Sequence, residues 1–311
     1  SSDEKPKNTN TKKEYQSVLK EKELIAWAKK IEKCKVFAID TETSSLDTMT
    51  ADLIGISLAC DEGEGCYIPI NHSYEGMPSQ LSIDLIQKTL GSIISKNQKK
   101  LVGQNLKFDL PMLNRYGINI TDFLGDTMLM SYVLNSTGTR HGLDRMAQHY
   151  LNYEPMKYEE VVGSASKQIN FAQVEISIAT FYAAEDADIT LRLFNHLNRM
   201  LADQPKLMNL LKDIEYPMLN SLIRVERNGA KIDAKMLSEY SDVLSIKIEE
   251  LSKTAYEVAG EEFNMDSPKQ LVEILYIKLD LPVLKKTPKG QPSTNEDTLQ
   301  RLAEEFELPK T

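Results

Sequence analysis

Two acidic residues stand side by side at the end of a predicted strand. Asp40 and Glu42 flank Thr41 at the end of the predicted strand of residues 35–40. Alternate side chains of an extended chain share one face, so both carboxylates should lie on the same side of the strand. Such neighbours repel each other and favour a bound cation, and Mg²⁺ or Mn²⁺ prefers oxygen ligands. A solvated strand end explains this segment alone equally well.

A second polar group follows the short apolar segment of residues 101–103. Gln104 and Asn105 open a predicted helix, and Asp109 stands four residues after Asn105 on the same helix face. Asn105 could equally be an ordinary helix N-cap. Alone, this group is therefore a weak indication of a functional site.

A third group lies inside a long predicted helix, in the segment YAAEDADIT. Tyr182 and Asp186 are one turn apart on one face, and the alanines between and beyond them leave room for another element or a ligand. Glu185 and Asp188 lie on other faces, where we expect them to be solvated. A lone tyrosine on a helix, such as Tyr182, is more often a half-buried structural residue.

The elements that position these groups indicate an α/β fold. Strands are predicted over residues 35–40, 52–60, 65–70 and 101–103. Short, turn-rich links between the first three predict an antiparallel meander. Helices are predicted over residues 106–116, 126–134, 143–151 and 177–200. Together they predict a mixed sheet with helices packed around it.

The chain becomes purely helical after residue 204. Long amphipathic helices are predicted over residues 208–227 and 234–259, separated by a C-cap signal at Asn228-Gly229 and preceded in the second case by the N-cap Asp233. A helix over 268–278, a lysine-bearing loop over 281–294 and a helix over 295–306 follow. The second part should therefore be all-α.

Composition describes an ordinary globular protein. The 311 residues contain 37 Lys and Arg and 46 Asp and Glu, so the net charge is 37 − 46 = −9. A collagen, a wholly disordered chain and a disulfide scaffold are excluded, and the length fits two domains. The acidic balance argues against a non-specific nucleic-acid coat and, taken alone, against any nucleic-acid partner.

Cysteine spacing and hydropathy exclude further classes. Cys34, Cys60 and Cys66 form no CxxC pair, which predicts neither a zinc site nor a disulfide framework and fits a reducing compartment. No apolar run approaches the roughly 18 residues of a membrane span, so no membrane partner is expected. The polar first dozen residues are predicted to be disordered. The four histidines have no metal-ligand spacing and should be structural or lie at the surface.

Taken together, the acidic groups resemble the DEDD superfamily of 3′→5′ exonucleases. Asp40, Glu42, Asp109 and Asp186 occur in that order on the matching elements, and Tyr182 corresponds to the Tyr-type branch. The resemblance implies two divalent cations, Mg²⁺ or Mn²⁺, about 3.5–4 Å apart. It assigns Asp40, Glu42 and Asp186 to the tighter ion and Asp109 to the second, with Tyr182 orienting the attacking water.

The resemblance extends over residues 30–310. FAIDTETSSLD, LVGQNLKFD and GDTMLMSYVLN are similar to the proofreading domain of the bacterial DNA polymerase I family, which belongs to family A. VERNGAKID, GEEFNMDSPKQL and LKKTPKGQPST resemble the start of its polymerase region. This implies a polar segment and lead-in helix over residues 1–30, a ribonuclease H-like exonuclease domain over 31–204 and a truncated all-α thumb over 205–311.

The same resemblance implies contacts with DNA. The expected DNA-binding residues are Leu46, Gln104, Asn105, Arg140, Lys285, Lys286 and Lys289. Leu46 should wedge against the terminal base, and the next two should contact the last nucleotide. Arg140 should meet a phosphate, although a structural ion pair is an equally good interpretation. The lysines should meet the duplex backbone, although a solvated loop is possible.

We therefore expect a monomeric, cytoplasmic bacterial enzyme that shortens single-stranded or frayed 3′ ends of DNA. The polymerase palm and fingers are absent from the sequence, so no primer extension is expected from this chain, although its parent protein would be a DNA polymerase. Two alternatives remain, a ribonuclease D-like RNA exonuclease and a non-catalytic DNA-positioning module. The C-terminal sequence that resembles a polymerase thumb argues against the first, and the four intact acids argue against the second. The acidic net charge thus excludes a coat but not such an enzyme.

Overall fold

The computed structural model describes residues 13–164 and 167–311. The disorder predicted for the first dozen residues lies outside the described residues. The chain divides into two compact units, the first ending at Gly229 and the second comprising Ala230–Thr311. Each unit has its own apolar core.

A six-stranded mixed sheet forms the centre of the first unit. Its strands are β1 (Glu14–Ser17), β2 (Phe37–Thr43), β3 (Leu53–Ala59), β4 (Glu64–Pro69), β5 (Leu101–Gly103) and β6 (Gly125–Asp126), in the spatial order β1-β4-β3-β2-β5-β6. The antiparallel pairs β2–β3 and β3–β4 confirm the predicted meander. The remaining pairs are parallel, so the sheet is mixed, as predicted.

Helices flank this sheet. They are α1 (Glu21–Lys33), α2 (Ile83–Ile86), α3 (Ser92–Asn97), α4 (Leu106–Arg115), α5 (Thr127–Leu134), α6 (Leu143–Met146), α7 (Tyr158–Val162), α8 (Ile176–Ala202), α9 (Pro205–Leu210) and α10 (Tyr216–Asn228). The long helix α8 packs on strands β1 to β5. It approaches β4 so closely that a Cβ on Gly65 would lie 2.7 Å from the Ala184 carbonyl oxygen. The alanines of α8 therefore make room for the sheet.

Two strands differ from the sequence prediction. Strand β2 continues past Asp40 to Thr43, because Thr41 and Glu42 still pair with residues of β3. Strand β1 was not predicted, since its four residues show only a short alternation of exposed and half-buried positions. It lies at the edge of the sheet, parallel to β4. The nuclease-like acids thus sit within a strand rather than after it.

The compact units divide later than the resemblance implied. The predicted boundary lies between residues 204 and 205, whereas the first unit extends to Gly229. Leu211, Leu219 and Ile223 of the intervening helical segment are buried in the two large apolar clusters of the first unit. Because this apolar stripe packs against the exonuclease-like core, α9 and α10 belong to that unit in the fold.

The second unit is helical, as predicted. Its helices are α11 (Ala234–Ala259), α12 (Pro268–Val272), α13 (Glu296–Leu302) and α14 (Glu307–Lys310). Asp233 caps α11 by accepting a 3.0 Å hydrogen bond from the Met236 amide, which confirms the predicted N-cap. Ala255, Leu275 and Leu302 form part of its core. Among the described residues, no helix has the length and apolar character needed to cross a membrane.

Candidate active site

Strand β2 positions the first two acids at the centre of the sheet. Asp40 lies opposite Ser57 of β3, and Glu42 lies opposite Gly55. A Cβ at residue 55 would stand 2.2 Å from the Tyr67 hydroxyl, so a glycine is needed for the Tyr67 ring to fit beside Glu42. The alternation predicted for Asp40 and Glu42 is thus realised on a central strand.

Helix α8 adds a third carboxylate. Oxygen atoms of Asp40, Glu42 and Asp186 all lie within 4.8 Å of one another. Glu42 and Asp186 are each only 8% exposed, and Asp40 is partly exposed. None of the three forms an ion pair with a basic residue in the described parts of the chain. Three carboxylates this close, without a cationic side chain, are a donor set that suits a hard divalent cation.

Asp109 approaches the group from helix α4. It is buried, and its Oδ1 accepts a 2.6 Å hydrogen bond from the Thr41 hydroxyl. Asp109 does not belong to the group of three within 4.8 Å, but the negative charge of Asp40 adds to burial in raising its pKa. Thr41, which the sequence analysis did not single out, therefore fixes the fourth acid beside the other three.

The electrostatics of the group reflect crowding of like charges. Burial raises the pKa of Asp40 to about 7. Burial also raises the pKa of Glu42 well above its usual range, and the charges of Asp40, Asp186 and Asp109 raise it further. For Asp186 the causes are burial and then the charge of Asp40. The protein therefore holds these carboxylates together at a cost that a cation would offset.

Tyr182 stands one turn before Asp186 on α8. Burial raises the pKa of its hydroxyl above the usual value, and the charge of Asp186 raises it further. The ring packs against Tyr158, with centroids 6.1 Å apart, and against Phe171 at the same distance. Tyr182 therefore stays protonated, and its hydroxyl donates a hydrogen bond to the Asp186 carboxylate. The hydroxyl can orient a neighbouring group but cannot abstract a proton. Tyr158 and Phe171 were missed because their contact spans distant segments.

The residues around α4 only partly match the expected DNA contacts. Gln104 donates a 2.8 Å hydrogen bond to the His141 carbonyl and accepts one from the Thr127 hydroxyl, so its side chain is occupied within the fold. Asn105 adopts a left-handed conformation with φ of 66° and does not cap α4. The buried Asp126 caps α4 instead, accepting a 2.7 Å hydrogen bond from the Leu106 amide. The N-cap interpretation of Asn105 is therefore wrong.

The remaining expected DNA contacts are exposed. Leu46, in the loop between β2 and β3, is 89% exposed. Arg140 is exposed and forms no ion pair with any residue in the described ranges. Lys285, Lys286 and Lys289 are exposed on the loop of the second unit, where residues 286 and 292 form an isolated bridge.

Two acids close to Asp186 are buried, contrary to the prediction from the sequence. Glu185 and Asp188 were expected to be solvated but are 1% and 0% exposed. Glu185 forms a 2.6 Å ion pair with Lys13. Asp188 forms one of 2.6 Å with Arg192 and accepts a 2.7 Å hydrogen bond from the Tyr15 hydroxyl. They are buried because distant residues of β1 and its flank supply partners that helix spacing cannot reveal.

Other expectations for reactive side chains hold. Cys34, Cys60 and Cys66 are free thiols, as the absence of a disulfide framework predicted. His72 is buried and hydrogen-bonded to the Tyr67 hydroxyl at 2.8 Å and to the Val174 carbonyl at 3.0 Å. Its structural role is therefore confirmed.

Comparison with sequence families places both units. Residues 15–202 match the family described as 3′-5′ exonuclease, and residues 234–311 match DNA polymerase family A. The chain is 46% identical to DNA polymerase I of Pseudomonas aeruginosa, covering 96% of this chain and 33% of that protein. It is 38% identical to DNA polymerase I of Rhizobium leguminosarum, covering 88% of this chain and 28% of that protein. The chain thus spans about a third of the length of these relatives.

Comparison with solved structures supports the fold. The POL domain of Pol1 from M. smegmatis, solved in complex with DNA primer-template and dNTP, is similar with a TM-score of 0.69. The similarity covers 93% of this chain and 45% of that one, at 24% sequence identity. At this identity the match concerns the fold alone.

Proposed function

The chain belongs to the 3′-5′ exonuclease family found in family A DNA polymerases, and from this we propose that it hydrolyses the 3′-terminal phosphodiester of DNA. The observation that carries the proposal is the cluster of Asp40, Glu42 and Asp186 within 4.8 Å, which forms no ion pair with a cationic side chain among the residues that the structure describes. A buried group of like charges at the centre of the sheet is costly unless it serves a bound cation.

We assign the metal-binding role to Asp40, Glu42, Asp109 and Asp186, and we propose Mg²⁺ or Mn²⁺ at two positions. A bound divalent cation would lower the pKa of the attacking water and would stabilise the negative charge on the departing 3′-oxygen. The Thr41 hydroxyl holds Asp109 in place through its 2.6 Å hydrogen bond.

Tyr182 is the residue on which the proposed assignment to the Tyr-type branch rests. Its raised pKa keeps the hydroxyl protonated near neutral pH, so it positions the attacking water by hydrogen bonding. The exposed Leu46 side chain would separate the last base from its neighbour, and Asn105 and Arg140 would contact the terminal nucleotide and a phosphate. Gln104 is a weaker candidate, because its side chain already has two partners.

The exposed side chains near the site and the DNA polymerase I relatives support a DNA substrate. We propose single-stranded or frayed DNA 3′ ends as the substrate and a monomer as the active form. Lys285, Lys286 and Lys289 would meet the backbone of a duplex, since they are exposed cations on one loop. We also propose that the polymerase activity named in the relatives belongs to parts of those proteins that this chain does not span, because the chain covers about a third of their length.

The proposal is tested with a single-stranded DNA labelled at its 5′ end. With Mg²⁺ present, the wild-type chain should shorten the DNA stepwise and release 5′-monophosphates, and a chelator should stop the reaction. Asp40→Ala should slow shortening by about 10³-fold or more, because it removes a central ligand. Asp84→Ala is the matched control, since Asp84 is an exposed acid in the first turn of α2 and should leave the rate unchanged.

A matched RNA oligonucleotide separates the alternatives. Faster shortening of RNA than of DNA would favour a ribonuclease D-like activity. Binding of DNA without any metal-dependent shortening would instead favour a non-catalytic positioning module. Either result contradicts the proposed function.

A further inference from the structure

Glu185 is a buried acid next to Asp186 that the proposed chemistry does not use. We infer that Glu185 is a positioning residue, which holds helix α7 against Tyr182 and so fixes the tyrosine hydroxyl for the exonuclease reaction. This inference rests on the proposed function for its catalytic part. Its structural part concerns only how α7 is attached to α8.

The carboxylate of Glu185 is fully used by donors from two distant segments. Its Oε2 accepts a 2.7 Å hydrogen bond from the Met156 amide. Its Oε1 accepts a hydrogen bond from the Tyr153 hydroxyl and forms the 2.6 Å ion pair with Lys13. The residue is 1% exposed, so loss of the carboxylate would leave the Met156 amide and the Tyr153 hydroxyl without a buried acceptor.

The segment that Glu185 holds leads directly into α7. Met156 stands two residues before Tyr158, the first residue of that helix. Val161 and Val162, at the other end of α7, are buried in an apolar cluster with Ala183 of α8, and Met156 and Tyr182 pack against this cluster. Helix α7 is thus attached to α8 by a polar contact at its beginning and an apolar one at its end.

The ring contacts connect this attachment to the reaction. Tyr158 packs edge-on against Tyr182 at 6.1 Å, and its ring is stacked parallel to Phe171 at 6.3 Å. Tyr182 and Glu185 are three residues apart on α8, so their side chains are neighbours on the helix surface and one packed segment can contact both. A movement of α7 would therefore remove the Tyr158 contact from the Tyr182 ring, which Phe171 also contacts.

The simplest competing role is anchoring of strand β1 through Lys13. The two roles differ in which contact carries the effect. Lys13→Ala removes the ion pair and the hydrogen bond from Lys13 to the Tyr153 hydroxyl, but it leaves the bonds from Met156 and Tyr153 to Glu185. Glu185→Ala removes all three contacts, whereas Glu185→Gln keeps an acceptor for the Met156 amide.

Hydrogen exchange of the full chain, followed by mass spectrometry, tests the attachment without any activity measurement. Glu185→Ala should speed amide exchange in the peptide over residues 156–163 by about tenfold or more. Glu185→Gln should restore most of the protection, and Lys13→Ala should reduce it far less than Glu185→Ala, because the Met156 amide keeps its acceptor. Unaltered exchange in Glu185→Ala, or equal acceleration in Lys13→Ala, would overturn the inference whether or not the chain is a nuclease.

A double-mutant cycle with Tyr158→Ala tests the catalytic part. Glu185→Ala should lower kcat about tenfold when Tyr158 is present, and less than about threefold in the Tyr158→Ala background. KM should change less than kcat, because the tyrosine hydroxyl acts on the water. Equal losses in both backgrounds would mean general destabilisation and would overturn the positioning role. Absence of metal-dependent shortening in the wild type would instead refute the proposed function, and the exchange data would still decide the attachment.

Discussion

Two kinds of buried acid lie within one turn of helix α8. Asp186 faces Asp40 and Glu42 and accepts a hydrogen bond from the Tyr182 hydroxyl, but no basic residue in the described chain pairs with it. Glu185 and Asp188 are even less exposed, but each is paired with a cation and with a hydroxyl or amide donor. The difference between these acids therefore lies in their partners and not in burial or in type.

This contrast shows how a candidate site is separated from structural polar groups. A compensated acid such as Asp188 contributes to folding, because its hydrogen bonds are strong where water is excluded. An uncompensated one such as Asp186 opposes folding and is retained when it serves a ligand. Substitutions at the two kinds of acid should therefore separate activity from stability.

Substitution of the uncompensated acid should cost activity but not stability. Asp186→Ala should lower the rate of DNA shortening by about 10³-fold or more, equivalent to about 4 kcal/mol. The free energy of unfolding of the metal-free protein should stay equal or rise, because one repelling charge is removed. Rates on labelled DNA and urea denaturation of the same preparations measure both. A marked loss of stability would place Asp186 among the structural acids.

Substitution of the compensated acid should show the opposite pattern. Asp188→Ala leaves Arg192 and the Tyr15 hydroxyl without their buried partner, so unfolding should become easier by about 3 kcal/mol. Urea denaturation measures the change, and Asp186→Ala is the matched control on the same helix. A similar stability in both variants would contradict the division between the two kinds of acid.

The pH dependence of stability should come from the uncompensated group. The folded-state pKa of Asp40 is about 7, above its ordinary value of 3.8. Between pH 3.8 and 7 the folded protein therefore keeps a proton on Asp40 that the unfolded chain has lost. Stability should therefore decrease as pH rises from 4 to 7, by on the order of 3 kcal/mol without metal.

Denaturation of metal-free protein at a series of pH values measures this decrease. Asp40→Asn removes the titrating group and should flatten that part of the profile, and saturating Mg²⁺ should do the same for the wild type. A slope unchanged by Asp40→Asn would show that the decrease arises elsewhere.

The smallest expected effect concerns an exposed apolar residue. Leu46→Ala should raise KM for single-stranded DNA about threefold, equivalent to about 0.7 kcal/mol, and leave kcat nearly unchanged. The side chain is 89% exposed, so unfolding should not be affected. Steady-state kinetics with DNA of increasing concentration measures KM, and an unchanged value would remove Leu46 from the DNA-binding surface.

The sequence predicted the elements that depend on local pattern. Helix α11 was predicted at its observed bounds, because its apolar periodicity is long and Asp233 caps it. The meander of β2, β3 and β4 followed from short apolar runs with turn-rich links. The three carboxylates whose oxygen atoms lie within 4.8 Å of one another were predicted to share one site. That prediction rested on their order and on the family resemblance, because their spacing along the chain does not imply contact.

What could not be predicted depends on contacts between distant segments. Glu185 and Asp188 look like solvated acids on a helix, and only the placement of Lys13 and Tyr15 explains why they are buried. Asn105 looks like an N-cap, but Asp126 reaches the same helix from β6. The boundary of the first unit also depended on packing, because α9 and α10 bury apolar side chains in its core.

Titration with Mn²⁺ measures whether the uncompensated acids bind metal and their compensated neighbours do not. Calorimetry should show binding to the wild type and to Glu185→Gln with similar affinity, and a loss of at least about tenfold in Asp186→Asn. Circular dichroism checks that each variant is folded. Equal Mn²⁺ affinity in the wild type and Asp186→Asn would contradict the account.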